Sequence, residues 1–222
     1  MIALVGSPRA KSTSEMLARR LADGVQKHGW QVDVQRITVA MRKPERWAAL
    51  EAQVRAADAV ALVFPLYVDA LPAETTQALE RLAAVYQTQP PEQAQRWLAV
   101  VNCGFFEAKQ NDIALAICRE FTREAGVQWS GGLAIGGGGM FSGQPLEHYG
   151  NMTRHLVRAF DLTIDALAAE TDLPAEALQL VRQPLFPAWM YFLMANLGMY
   201  KAAYDHHVLT RINAQPYARK TE

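Results

Sequence analysis

The opening stretch, Ile2 to Glu15 (IALVGSPRAKSTSE), constrains this chain more than any other. An apolar run stops at Gly6, a loop of Ser7, Pro8, Arg9, Ala10 and Lys11 follows, and the hydroxyls Ser12-Thr13-Ser14 lead into an amphipathic segment. A buried strand that turns directly into a helix delivers the helix N-terminus to the carboxyl edge of a sheet. Unpaired backbone N–H groups and the positive dipole end there favour an anion, usually a phosphate. The dinucleotide fingerprint GxGxxG fails, because only Gly6 is present. The mononucleotide loop also fails, because Ala10 precedes Lys11-Ser12 and Val5 holds the earlier glycine position. Two readings remain: a loop that holds a phosphate with hydroxyls, backbone amides and Arg9, or a Ser/Thr-rich helix cap with no ligand.

Hydrophobic periodicity predicts the rest of the chain. Glu15 to His28 carries Met16, Leu17, Leu21 and Val25 at helical spacing with Gly29 as its stop, and Trp30 to Ile37 reads as a second strand. Met41 to Pro44 is a break before a short helix over Glu45 to Ala57. Ala59 to Phe64 (AVALVF) and Trp97 to Val101 (WLAVV) are continuous apolar runs, as parallel strands covered on both faces require. Helices are predicted over Ala73 to Tyr86, Ile113 to Ala125 and Met152 to Glu170, and a fifth strand over Gln128 to Ile135. This alternation predicts an α/β, flavodoxin-like three-layer sandwich with a five-stranded parallel sheet in the order 2-1-3-4-5. Residues 1–170 form the domain, and residues 171–222 are a C-terminal helical extension packed on it or on a dimer partner.

Composition narrows the function. The chain has 222 residues, half of them apolar, enough for one substantial core. Lys plus Arg equals Asp plus Glu at 22 each, which leaves no electrostatic footprint for nucleic acid. Cys103 and Cys118 suggest neither a disulfide framework nor a metal cluster. The chain opens on a core strand without a leader segment, so the expected location is cytoplasmic.

In a parallel sheet every strand-to-helix loop emerges at the carboxyl edge, where ligands bind. The loop Pro65-Leu66-Tyr67-Val68-Asp69-Ala70-Leu71-Pro72 puts an aromatic and aliphatics where solvent is expected, stiffened by proline at each end. A flat aromatic ligand explains it, and so does a loop tucked under its neighbour. The loop Asn102-Cys103-Gly104-Phe105-Phe106-Glu107 offers a glycine whose backbone can approach a ring. Together GSPRAKSTSE, PLYVDALPA, NCGFFE and GGLAIGGGGMF resemble the flavodoxin-like NAD(P)H-dependent FMN reductase and oxidoreductase family over about residues 1–150. Asn196 to Lys201 and Gln215-Pro216-Tyr217 resemble C-terminal extensions of some flavodoxin-like oxidoreductases.

The resemblance implies that Ser7, Arg9, Ser12, Thr13 and Ser14 surround an FMN phosphate. It places Pro65, Leu66, Tyr67 and Val68 along the isoalloxazine, and Asn102, Cys103, Gly104 and Phe105 on its other side. Gly137 and Gly138 of the glycine tract 136–139 are expected to take part. No side chain is expected to act as acid or base, because the flavin carries the hydride chemistry. The implied reaction takes electrons from NADH or NADPH to a small acceptor, a quinone or free flavin, by a ping-pong cycle. Two alternatives are a flavodoxin-type electron carrier and a non-enzymatic protein of the same fold. Such carriers generally are strongly acidic, unlike this neutral chain.

Other features read more plainly. Cys103 and Cys118 read as packing residues, because no cation or base accompanies either. The pair His206-His207 lacks a third metal ligand, so no metal site is expected. His148 and Tyr149 read as surface residues. Leu185 to Tyr200 (LFPAWMYFLMANLGMY) falls short of the roughly 20 residues that span a bilayer. A homodimer or higher-oligomer interface, or a lid over the flavin, explains it better than membrane contact, because related reductases commonly complete their sites across a dimer.

Overall fold

The computed structural model describes residues 1–91, 93–141 and 143–215. Its strands are β1 (Ile2–Val5), β2 (Asp33–Arg36), β3 (Ala59–Pro65), β4 (Arg96–Asn102) and β5 (Gln128–Ile135). All neighbouring pairs are parallel, and the spatial order is β2-β1-β3-β4-β5, the order expected of a flavodoxin-like sheet. Side chains alternate along each strand. One face presents Ile2, Leu4, Val60, Leu62, Phe64, Trp97 and Val101 to Trp47, Leu50, Val54, Leu82, Tyr86 and Phe121. Those partners lie on α3 (Pro44–Ala56), α4 (Ala73–Thr88) and α5 (Asp112–Glu124). The alternate residues, such as Ala3, Val5, Ala61 and Val63, are equally buried. Their face is covered by α1 (Thr13–Gln26), with α6 (Arg154–Ala168) packed beside it.

The strand predicted over Trp30 to Ile37 is shorter, because β2 is a polar edge strand. It ends at Arg36, and Ile37 turns inward to start α2 (Ile37–Ala40), a short helix the sequence pattern did not announce. The helix predicted from Met152 begins at Arg154. Before it, a 3-10 segment over Leu146–Thr153 breaks at Gly150, which has φ 58° and ψ −130°. After α6, α7 (Ala175–Leu180) packs on α6 and β5.

One polar group ties three elements together inside the core. Gln95, 2% exposed, accepts at Oε1 from the Tyr86 hydroxyl (2.8 Å) and the Trp97 indole N–H (2.7 Å). Its Nε2 donates to the carbonyls of Val54 (2.6 Å) and Ala57 (2.7 Å). Burial raises the Tyr86 pKa above its ordinary value, so this hydroxyl stays a donor.

The chain divides into two compact units, Met1–Leu185 and Phe186–Glu222. The first holds the sheet and helices α1 to α7. The second is built on α8 (Ala188–Asp205), which has no buried residue. Trp189, Phe192, Leu193, Leu197 and Met199 are all exposed along it, and the Phe186 and Tyr191 rings stack at 6.2 Å. Asn196 to Lys201 lies on α8, whereas Pro216 and Tyr217 lie outside the described residues. Among the described residues, no helix is long and apolar enough to cross a membrane.

Candidate functional site

The turn from β1 into α1 builds one wall of a cavity at the carboxyl edge. Ser12 is the N-cap of α1 and accepts from the Glu15 N–H at 3.2 Å. The Glu15 carboxylate reaches back to the Lys11 N–H at 2.9 Å, a close variant of the S-x-x-E capping box. Lys11 has φ 53°, so this carboxylate helps hold the loop in a conformation that a non-glycine residue resists. Burial raises the Glu15 pKa, but hydrogen bonds from Arg19 and Lys11 outweigh it and hold the carboxyl below its ordinary value. Ser7 and Ser14 are each 1% exposed, and Arg9 and Lys11 are exposed at the rim. Gly6 is required by packing, since a Cβ there meets Phe64 Cβ at 2.9 Å and overlaps Thr75 Oγ1.

A cavity of about 280 Å³ is lined by Ser7, Arg9, Ser12, Thr13 and Ser14 from this turn, Pro65, Leu66 and Tyr67 at the end of β3, and Asn102, Cys103 and Gly104 at the end of β4. Gly138, Gly139 and Phe141 complete it after β5. Val68, Phe105 and Gly137 stand outside this lining. Val68 is 99% exposed, and Phe105 is exposed as well. The sequence reading missed Gly139 and Phe141; Phe141 is buried against the edge of Tyr149 with ring centroids at 5.2 Å. It also missed Glu15, although Ser12-Thr13-Ser14-Glu15 carries the S-x-x-E signal.

The loops are held in place by backbone bonds. Leu66 N–H donates to the Asn102 carbonyl at 2.9 Å, Gly138 N–H to Cys103 at 2.7 Å and Gly137 N–H to Phe105 at 2.7 Å. The N–H groups of Gly137 and Gly138 are therefore engaged within the protein. A Cβ on Gly138 would crowd Asn102 Oδ1 and the Cys103 carbonyl at 3.1 Å, so this glycine permits close packing of two loops. At Gly104, by contrast, a Cβ would meet nothing within 4 Å. Space is therefore left beside this glycine, which shares the cavity lining with Tyr67.

The Tyr67 loop stores strain. Tyr67 and Ala70 exchange backbone bonds at 2.9 and 3.0 Å around Val68 and Asp69, whose φ values are 48° and 59°. A two-residue turn with both φ positive prefers Asn or Gly, and a β-branched residue there is an outlier. Val68→Asn is expected to raise stability by about 1 kcal/mol, because it relieves the left-handed valine without losing packing. A thermal melt checks it; a lower melting temperature contradicts the strain.

Neither cysteine is poised as a nucleophile. Burial raises the Cys103 pKa, and its thiol donates to the Phe105 and Glu107 carbonyls at 3.7 and 3.9 Å. Burial pushes the Cys118 thiol up to about 12. Ellman's reagent at mildly alkaline pH is expected to find neither thiol rapidly in the native protein and both in denaturant. Rapid native labelling of Cys103 would contradict this.

A larger hollow of about 1070 Å³ opens at the amino edge, around Met1, Gln31, Asp33, Asp58 and Glu170. Its carboxylates disfavour an anion, and among the described residues no strand-to-helix turn lines it.

A family model described as NADPH-dependent FMN reductase matches residues 1–111. No curated protein sequence matches the chain. Among solved structures, an NADH:FMN oxidoreductase in its apo form superposes with a TM-score of 0.59 at 13% identity, over 86% of this chain and 97% of that one. A flavodoxin from Streptococcus pneumonia TIGR4 superposes with a TM-score of 0.53 at 15% identity, over 77% of this chain and 100% of that one. At such identities the likeness establishes the flavodoxin-like fold.

Proposed function

The chain belongs to the NADPH-dependent FMN reductase family, and we propose that it passes electrons from NADH or NADPH to a small acceptor, a quinone or free flavin. The observation that carries this reading is that one cavity is lined both by a hydroxyl-bearing helix N-terminus and by the Tyr67 and Gly104 loops. Those two ends fit the phosphate and the flat ring of FMN. FMN held there would supply the redox chemistry of a ping-pong cycle between NAD(P)H and the acceptor.

The chain's own residues bind and orient. Ser7, Ser12 and Ser14, with the positive end of the α1 dipole and Arg9 at the rim, hold the phosphate. Pro65, Leu66 and Tyr67 flank the ring on one side, and Cys103 and Gly104 on the other. The protonated Cys103 thiol is a packing group in this scheme. Steady-state oxidation of NADPH at several quinone concentrations tests the cycle: parallel double-reciprocal lines support it, and intersecting lines contradict it.

The chain acts as a homodimer through α8. The support is physical: a largely apolar helix, with Trp189, Phe192, Leu197 and Met199 exposed, calls for cover. Removing residues 184–222 is expected to reduce oligomer size or activity, as light scattering and turnover measure. A truncated protein unchanged in both refutes this role.

A further inference from the structure

The hydroxyls around the cavity differ in where their protons point. A carbonyl cannot donate, so Thr13, whose Oγ1 lies 3.2 Å from the Gly138 carbonyl and 3.4 Å from that of Phe141, spends its proton on the loop after β5. An N–H cannot accept, so Ser12 accepts from Glu15 N–H and Ser7 from Arg9 N–H, the latter at 3.4 Å. Both keep their protons for another partner.

Ser14 is the most constrained of the set. Asn102 Nδ2 lies 2.8 Å from Ser14 Oγ and 3.1 Å from the Phe64 carbonyl. The carbonyl settles the orientation of the amide, since only the NH2 end can face it. Asn102 therefore donates to Ser14, and the Ser14 oxygen is committed as an acceptor. Both side chains are more than nine-tenths buried, at 6% and 1% exposure, and both line the cavity. No acceptor for the Ser14 proton is present among the described residues. A buried hydroxyl proton held this way at the second residue of α1 is a donor that a phosphate oxygen in the cavity would satisfy.

We propose that Asn102 is a positioning residue, which by donating to Ser14 Oγ directs the Ser14 hydroxyl proton onto the phosphate of the flavin. This rests on the FMN reading above. It joins the end of β4 to the phosphate loop. Thr13, in the same scheme, is a tether between α1 and the loop after β5 and gives no proton to the phosphate.

The test compares FMN with riboflavin, which has the same ring and no phosphate, by fluorescence titration of the full chain. Asn102→Leu and the milder Asn102→Ser are each expected to weaken FMN about tenfold and riboflavin less than twofold. Ser14→Ala should do the same, and Ser14→Ala combined with either Asn102 change should be no worse than Ser14→Ala alone. Additive losses, or equal losses for FMN and riboflavin, overturn the role of Asn102 while the FMN reading stands. A wild-type protein that binds FMN no more tightly than riboflavin overturns both. Should Asn102→Leu fail to fold, Asn102→Ser carries the comparison.

Discussion

Ser12→Asp is expected to weaken FMN binding by about 100-fold while the fold remains at least as stable. Aspartate is as good an N-cap as serine, so the bond to Glu15 N–H survives, and a negative charge in the first turn suits the helix dipole. The same charge faces a bound phosphate. Two unit charges about 5 Å apart at an effective dielectric near 20 repel by about 3 kcal/mol, which converts to the stated loss. Riboflavin, without the phosphate, should bind as it does to the wild type. Parallel losses for both ligands would mean that the loop collapsed, and no loss for either would place the phosphate elsewhere.

The second large effect concerns stability. Gln95→Leu should cost about 3 kcal/mol in a urea titration. Leucine fills most of the volume but leaves the Tyr86 hydroxyl, the Trp97 indole N–H and the Val54 carbonyl without their buried bonds to Gln95. Tyr86 gives no relief by ionising, because burial has raised its pKa. A cost below about 1 kcal/mol would show that water reaches these groups.

Gln95 also shows where the sequence stops being informative. It lies in a polar stretch between Pro91 and Trp97 that looks like solvent-facing turn. Its partners come from α3, α4 and the start of β4, up to 41 positions away. A chain read locally cannot bring them together. The apolar runs Ala59 to Phe64 and Trp97 to Val101 behave oppositely, because a strand buried on both faces must be apolar at every position. Sheet order followed from the strand count, since five strands fit the order 2-1-3-4-5 better than the six-strand dinucleotide fold.

The cavity lining was legible along the turn after β1 and less so along the loop after β3. Ser7 to Ser14 advertise an anion loop because cap and loop chemistry is local. Val68 misleads, since its left-handed φ runs against its local preference and sends the side chain into solvent. The glycine tract was ambiguous because glycine signals a close approach without saying to what. At Gly138 the approach is to Asn102 and Cys103. The proton direction at Ser14 is decided by an amide 88 positions away, which spacing alone does not reveal.

The central claim, a nicotinamide-reducible FMN in the cavity between Ser14 and Gly104, is tested most directly by one anaerobic titration. The purified protein is loaded with FMN, freed of excess, and titrated with NADPH and then NADH while the flavin absorbance is followed. The account predicts that FMN stays with the protein, that about one equivalent of reduced nicotinamide bleaches it, and that a quinone restores the colour. Protein that retains no FMN, or FMN that stays oxidised with both nicotinamides in excess, would contradict it.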